Sequence, residues 1–348
     1  MLKPGATSTA LDDTRTITVG TLLGKLYSTC IARRLSTWGE ENGLRADTQT
    51  GFRKDHQTLD NVGVLRFIKE RYDHERQPVY VAFIDFEKAY DRVPRDKLFK
   101  KLQQRGIDGS FLNALLAEYD EVPLSVKTAG GLTDPFLCKI GLTQGKADSP
   151  DLYGFYTDDL PAFIKDLGET AAFPVLSDLS IDPLLHADDT ALLATTIEGL
   201  QAQLDKLKAY ADEWGLTISI KKTAIMQLCG AGANDDLAAR PKLHVGGELP
   251  WVREFKYLGV MVHETEDWDV CGPAHRLRMA RMALAALRHK LAVLGGAPLA
   301  RKAQLFQTHV RSVFTYGAEL WGPGYLLQSA TQAGNDAAEV MYREFLRL

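Results

Sequence analysis

Two adjacent carboxylates between two short apolar runs restrict the fold of this chain more than any other feature of its sequence. The stretch covers residues 183–193, with Asp188 and Asp189 between leucine-containing runs. Neighbouring side chains on an extended strand point to opposite faces, so the two acids can face one place only where the backbone turns. A tight turn between two strands supplies that bend. The stretch therefore predicts a β-hairpin with acids at its tip.

Acids at such a tip predict a bound cation. Carboxylates clustered in a partly buried site repel and raise one another's pKa, so a cation is needed to keep them ionised. Mg²⁺ is the natural candidate, with Mn²⁺ as an alternative, because it takes hard oxygen ligands and shares them with phosphates. The competing interpretation is ordinary turn chemistry, in which solvated aspartates simply tolerate the dihedrals of a turn. Another acid in a matching context favours the cation site.

That other acid is Asp85, which ends the clearest strand of the chain, the apolar run at residues 78–85. The predicted order of elements is strand, helices, hairpin, helix, acid hairpin, helix, strand, which is the order of a split βαβ sheet. In that sheet, Asp85 lies beside the turn with Asp188 and Asp189. Three carboxylates on adjacent strands can hold two divalent ions about 4 Å apart, a geometry that serves in-line phosphoryl transfer.

Hydrophobic periodicity predicts an α+β chain around this sheet. The expected helices cover residues 22–38, 58–71, 94–102, 111–119, 149–167, 197–214, 275–294 and 299–316. The expected strands cover residues 15–19, 78–85, 216–220 and 254–260, with a second hairpin formed by residues 122–128 and 135–140. Because Ala- and Arg-rich helices follow, a domain boundary is predicted near residue 260.

Composition and charge narrow the class of protein. The 348 residues are 45% hydrophobic and 25% charged, which is typical of a globular chain with two or three packed units. The net charge of −4 argues against a surface coated in basic residues. Residues 271–311, however, carry eight arginines and lysines and no acid. Such a region is typical of a phosphate-contacting face or of a solvated helix surface.

The cysteines and the N-terminus predict an intracellular protein. The four cysteines are scattered without a Cys-x-x-Cys pair, which argues against a zinc knuckle or a disulfide scaffold. The first residues lack the apolar core of a signal peptide, and no apolar run approaches the length of a membrane span. We therefore expect a protein of the nucleus, the cytoplasm or both, neither secreted nor bound to a membrane.

Several further motifs follow one another in an informative order. They are Phe-Ile-Asp-Phe-Glu-Lys-Ala-Tyr-Asp at 83–91, Gly-Leu-Thr-Gln-Gly at 141–145 with Ser149-Pro150, His-Ala-Asp-Asp at 186–189, Lys222-Thr223, and Phe-Lys-Tyr-Leu-Gly at 255–259. In this order they resemble the reverse transcriptase domain of LINE-type, non-LTR retrotransposons, with kinship to group II intron enzymes and telomerase. The resemblance runs from about Arg15 to the C-terminus.

The resemblance implies a right-hand polymerase. Residues 1–78 would form N-terminally incomplete fingers, and residues 79–259 a palm with a split βαβ, ferredoxin-like sheet, of which 122–150 contribute to the junction with the fingers. Residues 260–348 would form a helical thumb and a truncated C-terminal connection. The implied function is an RNA-directed DNA polymerase that adds dNTPs to a DNA primer on an RNA template with two Mg²⁺ ions. The oligomeric state is left open.

The resemblance also implies roles for single residues. Asp85, Asp188 and Asp189 would be the catalytic metal ligands. Tyr90 would be the steric gate that excludes a ribose 2′-hydroxyl, unless it is simply a core tyrosine. The other implied substrate contacts are Arg15, Gln144, Gly145 and Lys222, the last of which could equally be a solvent-facing lysine. The predicted nucleic-acid contacts are Arg53, Arg276, Arg278, Arg281, Arg288 and Lys290.

Departures from the family pattern keep other hypotheses open. Lys146-Ala147-Asp148 replaces the usual Cys-Pro-Leu, and His186 replaces the usual aromatic residue as a packing substitute. The departures support a second hypothesis, in which a degenerate or repurposed copy binds nucleic acid without polymerising. A third hypothesis is an RNA-templated RNA polymerase. Tyr90 argues against it, because a ribonucleotide enzyme has to admit the 2′-hydroxyl.

Overall fold

Helices and short strands alternate along the chain in a computed structural model that describes residues 17–120, 122–128, 130–229, 236–293, 298–330 and 337–346. The helices are α1 (Leu22–Glu41), α2 (Thr58–Glu75), α3 (Arg95–Gln104), α4 (Gly109–Tyr119), α5 (Ser149–Thr157), α6 (Leu160–Lys165), α7 (Ile197–Trp214), α8 (Trp268–Val293), α9 (Leu299–Phe306), α10 (Ser312–Phe314), α11 (Ala318–Ala330) and α12 (Ala337–Leu346). The strands are β1 (Val79–Ile84), β2 (Pro123–Leu124), β3 (Lys127–Thr128), β4 (Gly131–Leu132), β5 (Phe136–Leu137), β6 (Val175–Leu176), β7 (Leu179–Ser180), β8 (Leu184–His186), β9 (Asp189–Ala194), β10 (Ala224–Cys229), β11 (Glu254–Tyr257) and β12 (Val260–His263).

A four-stranded sheet in the order β10-β1-β9-β8 forms the framework of the fold. Counted in chain order, these strands lie in the order 4-1-3-2, with helices in the crossovers between the first and second and between the third and fourth. This is the βαββαβ arrangement of a split βαβ sheet, so the predicted topology is confirmed. Strand β9 pairs antiparallel with both β1 and β8, and all residues of β1 but Tyr80 are buried.

Helix α7 follows the acid hairpin and packs against β9. Its leucines recur at helical spacing, and Leu200, Leu204 and Leu207 are fully buried. The side chain of Thr196 accepts a hydrogen bond from the Gly199 amide at the N-terminus, which satisfies one of the free amides there. Gly215 ends the helix with φ of +76°, a conformation that glycine adopts without the steric cost of a side chain.

Several predicted elements differ from the structure. The predicted strand 216–220 is wrong: only Ile218 forms a bridge, with Phe86, because the chain turns at Ser219, whose carbonyl accepts from Lys222 and Thr223. The fourth strand of the sheet forms later in the chain, as β10. The predicted strand 254–260 is the hairpin of β11 and β12, and the predicted helix 149–167 is divided into α5 and α6. Of the predicted strand 15–19, residues 17–19 have no regular structure, and Arg15 lies outside the described residues.

The chain divides into two compact units. The first comprises Met1–Asn61, Tyr80–Ile225 and Ala238–Pro250, and its largest fully buried side chains include Tyr153, Tyr156, Tyr210, Phe83 and Phe155. The second comprises Val62–Val79, Met226–Leu237 and Trp251–Leu348. Its helical core consists of Ala280, Leu284, Leu287, Leu291, Phe306, Val310, Met341 and Phe345. The division into fingers, palm and thumb stays a prediction.

A buried ion pair ties the loop after α1 to the residue that caps the C-terminus of α5, within the first unit. The Nε atom of Arg45 donates to Asp158 Oδ2 at 2.6 Å, and the two side chains are 1% and 0% exposed. The guanidinium carbon also lies 5.0 Å from the ring centroid of Phe155. Burial raises the pKa of Asp158 to about 6, although Arg45 opposes this shift. The pair therefore depends on Arg45 to compensate a desolvated carboxylate.

We expect Arg45→Ala to lower the free energy of unfolding by about 3–5 kcal/mol, because it leaves a buried carboxylate without its nearest cation. Arg33→Ala removes an exposed arginine of α1 and is the matched control, expected to stay within about 0.5 kcal/mol of the parent chain. Urea unfolding followed by circular dichroism measures both. Equal losses in the two variants would contradict a structural role for Arg45.

Candidate active site

The acid hairpin is formed as predicted. Strands β8 and β9 are joined by the two-residue turn of Ala187 and Asp188, and His186 pairs with Asp189 across it. Ala187 has φ of +57°, at the turn position where such hairpins usually have glycine. Asp188 thus lies at the tip of the hairpin, and Asp189 begins β9.

The antiparallel register brings Asp85 to the same place. Ile84 of β1 pairs with Thr190 of β9. Because the strands are antiparallel, the residue after Ile84, Asp85, lies opposite the residue before Thr190, Asp189. Residues opposite one another in an antiparallel pair have Cα atoms about 4.5–5.5 Å apart. Asp85, Asp188 and Asp189 all line one cavity of about 520 Å³. The structure therefore brings together the three acids that the sequence predicts as one site.

The charges of this cluster are partly compensated by a lysine. The surrounding protein and the charges of Asp188 and Asp85 raise the pKa of Asp189 to about 6, even though part of Asp189 is open to solvent. Lys222 opposes this shift. Its Nζ lies 3.0 Å from Oδ1 and 3.2 Å from Oδ2 of Asp85. A positive charge is thus already present where the carboxylates meet.

The carboxylate oxygens of this site are the type of ligand that a hard divalent cation prefers. In the described parts of the chain, no three His, Cys, Asp or Glu side chains are arranged to hold a metal ion as they stand. Mg²⁺ does not need such a cage, since it usually keeps several waters and takes one or two carboxylates together with substrate phosphates. Asp85, Asp188 and Asp189 are the candidate ligands, because all three line one cavity and, besides burial, the charges of Asp188 and Asp85 raise the pKa of Asp189.

Tyr90 lies in the same cavity, and its ring is held by a stack. Its centroid is 4.7 Å from that of Tyr153 on α5, with an angle of 23° between the planes. Burial, with the nearby charge of Asp188, raises the pKa of Tyr90. The hydroxyl is buried and makes no hydrogen bond within the described residues. The ring is therefore fixed by packing rather than by its hydroxyl group.

The loop at residues 141–145 forms another wall of the cavity. The amide of Leu142 donates to the carbonyl of Tyr90 at 2.7 Å. The amide of Thr18 donates to the carbonyl of Gln144 at 2.8 Å, and Gln144 and Gly145 line the cavity. Gly145 has φ of +111°, and a Cβ atom there would lie 2.6 Å from the Thr18 carbonyl oxygen. Only glycine fits this close approach of two backbones.

Comparison with known proteins identifies the family. A family model described as reverse transcriptase (RNA-dependent DNA polymerase) matches residues 1–262. The chain belongs to the reverse transcriptase family. Reverse transcriptases generally use divalent metal ions, which agrees with the donor set of the three acids.

Curated relatives of this chain are proteins of mobile elements. It is 26% identical over 329 residues to the "Probable RNA-directed DNA polymerase from transposon BS" of Drosophila melanogaster, covering 92% of this chain and 35% of that protein. Identity is also 26% over 335 residues to the RNA-directed DNA polymerase from mobile element jockey of the same species, covering 92% and 34%. The chain thus spans about a third of the length of these relatives.

A solved structure supports the right-hand polymerase fold. Apo telomerase from Candida tropicalis, truncated from the C-terminal domain, aligns with a TM-score of 0.50 at 14% identity, covering 69% of this chain and 45% of that one. Among the helices of the described residues, none combines the length and the apolar character that a membrane-spanning helix requires.

The predicted nucleic-acid contacts occupy different environments in the structure. Arg53 does not face solvent: its side chain is 7% exposed, and both arms of its guanidinium fork bind Glu40, at 2.8 and 2.6 Å. We therefore correct its role to a structural one. Arg276 is half-buried, with its guanidinium carbon 4.2 Å from the ring centroid of Tyr316. The predicted contacts that are exposed on α8 are Arg278, Arg281, Arg288 and Lys290.

The departures Lys146 and Asp148 form part of a partly buried cluster that sequence reasoning missed. The Nζ atom of Lys146 lies 3.3 Å from Glu118 Oε1, and it lies 4.5 Å from the ring centroid of Tyr119. The Tyr119 hydroxyl donates to Asp148 Oδ2 at 2.8 Å. Burial raises the pKa of the fully buried Asp148. The departure from the family pattern was the available signal, but its partners on α4 carry no local pattern.

Proposed function

We propose that this chain is the polymerase portion of a non-LTR retroelement protein. It extends a DNA primer on an RNA template with dNTPs. The observation that carries the proposal is the convergence of Asp85 with Asp188 and Asp189 in a cavity that Tyr90 and Gln144 also line. We assign residues 1–78 to the fingers, 79–259 to the palm and 260–348 to the thumb. The four cysteines are free, which favours a site of action in the nucleus or cytoplasm.

The three acids would hold a pair of Mg²⁺ ions. When bound, such a pair compensates the charge of a triphosphate and makes a primer 3′-hydroxyl more nucleophilic. The residues of the chain chiefly supply position and charge, as in other phosphoryl transfers. Lys222, whose Nζ atom lies 3.0 Å from Asp85 Oδ1, would donate a proton to the departing pyrophosphate.

Tyr90 would select deoxyribonucleotides. Its ring is stacked on the fully buried Tyr153, so it cannot easily move aside for a ribose 2′-hydroxyl. Gln144 and Gly145 would lie along the incoming nucleotide, because they line the same cavity as Tyr90. The described site retains its acids, its glycine loop and its tyrosine, and nothing in it favours the degenerate-copy hypothesis.

Exposed cations of α8 would bind the phosphates of the primer–template duplex. Arg278, Arg281, Arg288 and Lys290 are exposed. Residues 271–311 themselves contain no acid, although Arg288 lies 3.7 Å from Glu344 Oε2 on α12. A cationic helix of this kind binds nucleic acid largely through release of counterions, so its affinity depends on salt.

We expect Asp85→Asn and Asp188→Asn each to lower the rate of dNTP incorporation at least about 1,000-fold. The reason is that each removes a charge worth several kcal/mol in binding the metal ions. Primer extension on an RNA template with Mg²⁺ measures the rate. Asp166→Asn changes an acid whose side chain is 76% exposed and is the control, with a rate like that of the parent chain. Wild-type rates for either active-site variant would refute the site.

Substitution of Tyr90 tests sugar selection. We expect Tyr90→Ala to raise the use of ribonucleotides relative to deoxyribonucleotides at least about tenfold, because space opens for the 2′-hydroxyl. Tyr90→Phe keeps the ring and loses only a hydroxyl that makes no hydrogen bond within the described residues, so it should keep the selectivity. Competition between labelled dNTPs and rNTPs measures the ratio. An unchanged ratio in Tyr90→Ala would remove the gate role.

Salt titration tests the cationic helix. The double variant Arg281→Ala and Lys290→Ala should reduce the slope of log affinity against log salt by about 0.7–0.9 for each phosphate that the helix no longer neutralises. Binding of a labelled RNA–DNA duplex between low and moderate salt gives the slope. Lys242→Ala removes a lysine whose side chain is 66% exposed, outside α8, and serves as the control. Equal slopes in all three proteins would place the duplex elsewhere.

A further inference from the structure

A short segment before α2 lies along the edge of β8 that β9 leaves free. Gln49 forms a parallel bridge with Leu185. The Leu185 amide donates to the Thr48 carbonyl at 3.0 Å, and the Thr50 amide donates to the Leu185 carbonyl at 2.9 Å. The acid hairpin is therefore held from both sides, by β9 on one edge and by residues 48–50 on the other.

The side chain of Gln49 extends this support to the turn itself. Its Oε1 atom accepts hydrogen bonds from the amide of Ala187 at 2.9 Å and from the amide of Gly51 at 3.0 Å. Gln49 is fully buried. Ala187 is the residue immediately before Asp188, so one buried oxygen atom fixes the backbone from which the tip carboxylate projects.

Thr50 and Gly51, which follow Gln49 in the chain, also contact the same turn. A Cβ atom on Gly51 would lie 2.3 Å from the Ala187 nitrogen, so only glycine allows this approach. Thr50 Oγ1 lies 3.0 Å from His186 Nδ1, which holds the residue before the turn. Ala187 itself has φ of +57°. A residue with a side chain adopts this left-handed conformation only where its surroundings impose it.

We propose that Gln49 is a positioning residue for Asp188. Its side-chain oxygen holds the turn in the conformation that keeps the Asp188 carboxylate in the cavity with Asp85 and Asp189. The catalytic use of this role rests on the proposed function. Whether Gln49 stabilises the turn can be measured without any polymerisation.

The full chain with Gln49→Met tests the proposal. Methionine has a similar length and no oxygen acceptor, so the amides of Ala187 and Gly51 lose their partner. We expect hydrogen exchange at Ala187 and Asp188 to become at least about tenfold faster, and the dissociation constant for Mn²⁺, measured by electron paramagnetic resonance without nucleotide, to rise about tenfold. Gln49→Glu keeps an acceptor and should keep the exchange rate of the parent chain.

Asn61→Ala is the control for a general loss of stability. Asn61 Nδ2 donates to the Leu185 carbonyl at 2.8 Å, so this variant loses a buried bond to β8 without touching the turn. It should lower the melting temperature and leave exchange at Ala187 and Mn²⁺ binding unchanged. If Gln49→Met does not fold, Gln49→Asn, whose acceptor is one methylene shorter, provides the same comparison.

The outcomes separate the two proposals. Faster exchange and weaker Mn²⁺ binding in Gln49→Met but not in Asn61→Ala support the positioning role, even if the parent chain extends no primer. Exchange and Mn²⁺ binding that match the parent chain, or that change equally in Asn61→Ala, overturn the role of Gln49 and leave the polymerase proposal intact.

Discussion

Repulsion between carboxylates is the constraint around which the site is built. Two unit charges about 5 Å apart repel by about 3 kcal/mol at an effective dielectric constant of 20. Each fully buried Val, Leu, Ile or Phe side chain contributes about 1.5–3 kcal/mol. Strands β1 and β9 bury several such residues between them, so their pairing outweighs the repulsion. Apolar strands can therefore force Asp85 and Asp189 together at their ends, where Lys222 supplies a first positive charge.

The same logic explains why the surroundings of the acids are rigid. A cation site requires carboxylates at fixed separations, and a hairpin tip held only by its own strands would be free to relax. Here the tip is supported through its backbone by Gln49, while the ring of Tyr90 is held by Tyr153. The loop at residues 141–145 is held by backbone hydrogen bonds with Thr18 and Tyr90. The geometry of the acid site thus depends on the packing of the residues around it.

Local patterns predicted the parts of the fold that are encoded locally. The acid hairpin, β1 and α7 follow from alternation, from an apolar run and from helical spacing, respectively. Strand β10 was misplaced because residues 216–220 alternate as a strand should, whereas the turn at Ser219 is decided by tertiary hydrogen bonds. Arg53 was misassigned because a sequence cannot show whether a guanidinium fork meets a phosphate or its own Glu40. Gln49 was missed because its partner lies 138 residues away.

The cluster of Lys146 and Asp148 with Glu118 and Tyr119 has a consequence for recombining this domain with its relatives. The charges on the loop and on α4 compensate one another, and the hydroxyl of Tyr119 is matched to one carboxylate. A chimaera that exchanged the loop alone would leave Glu118 and Tyr119 without their partners on the loop. One that exchanged the loop together with α4 would keep these contacts. The loop and α4 therefore have to be exchanged together, although about 30 residues separate them along the chain.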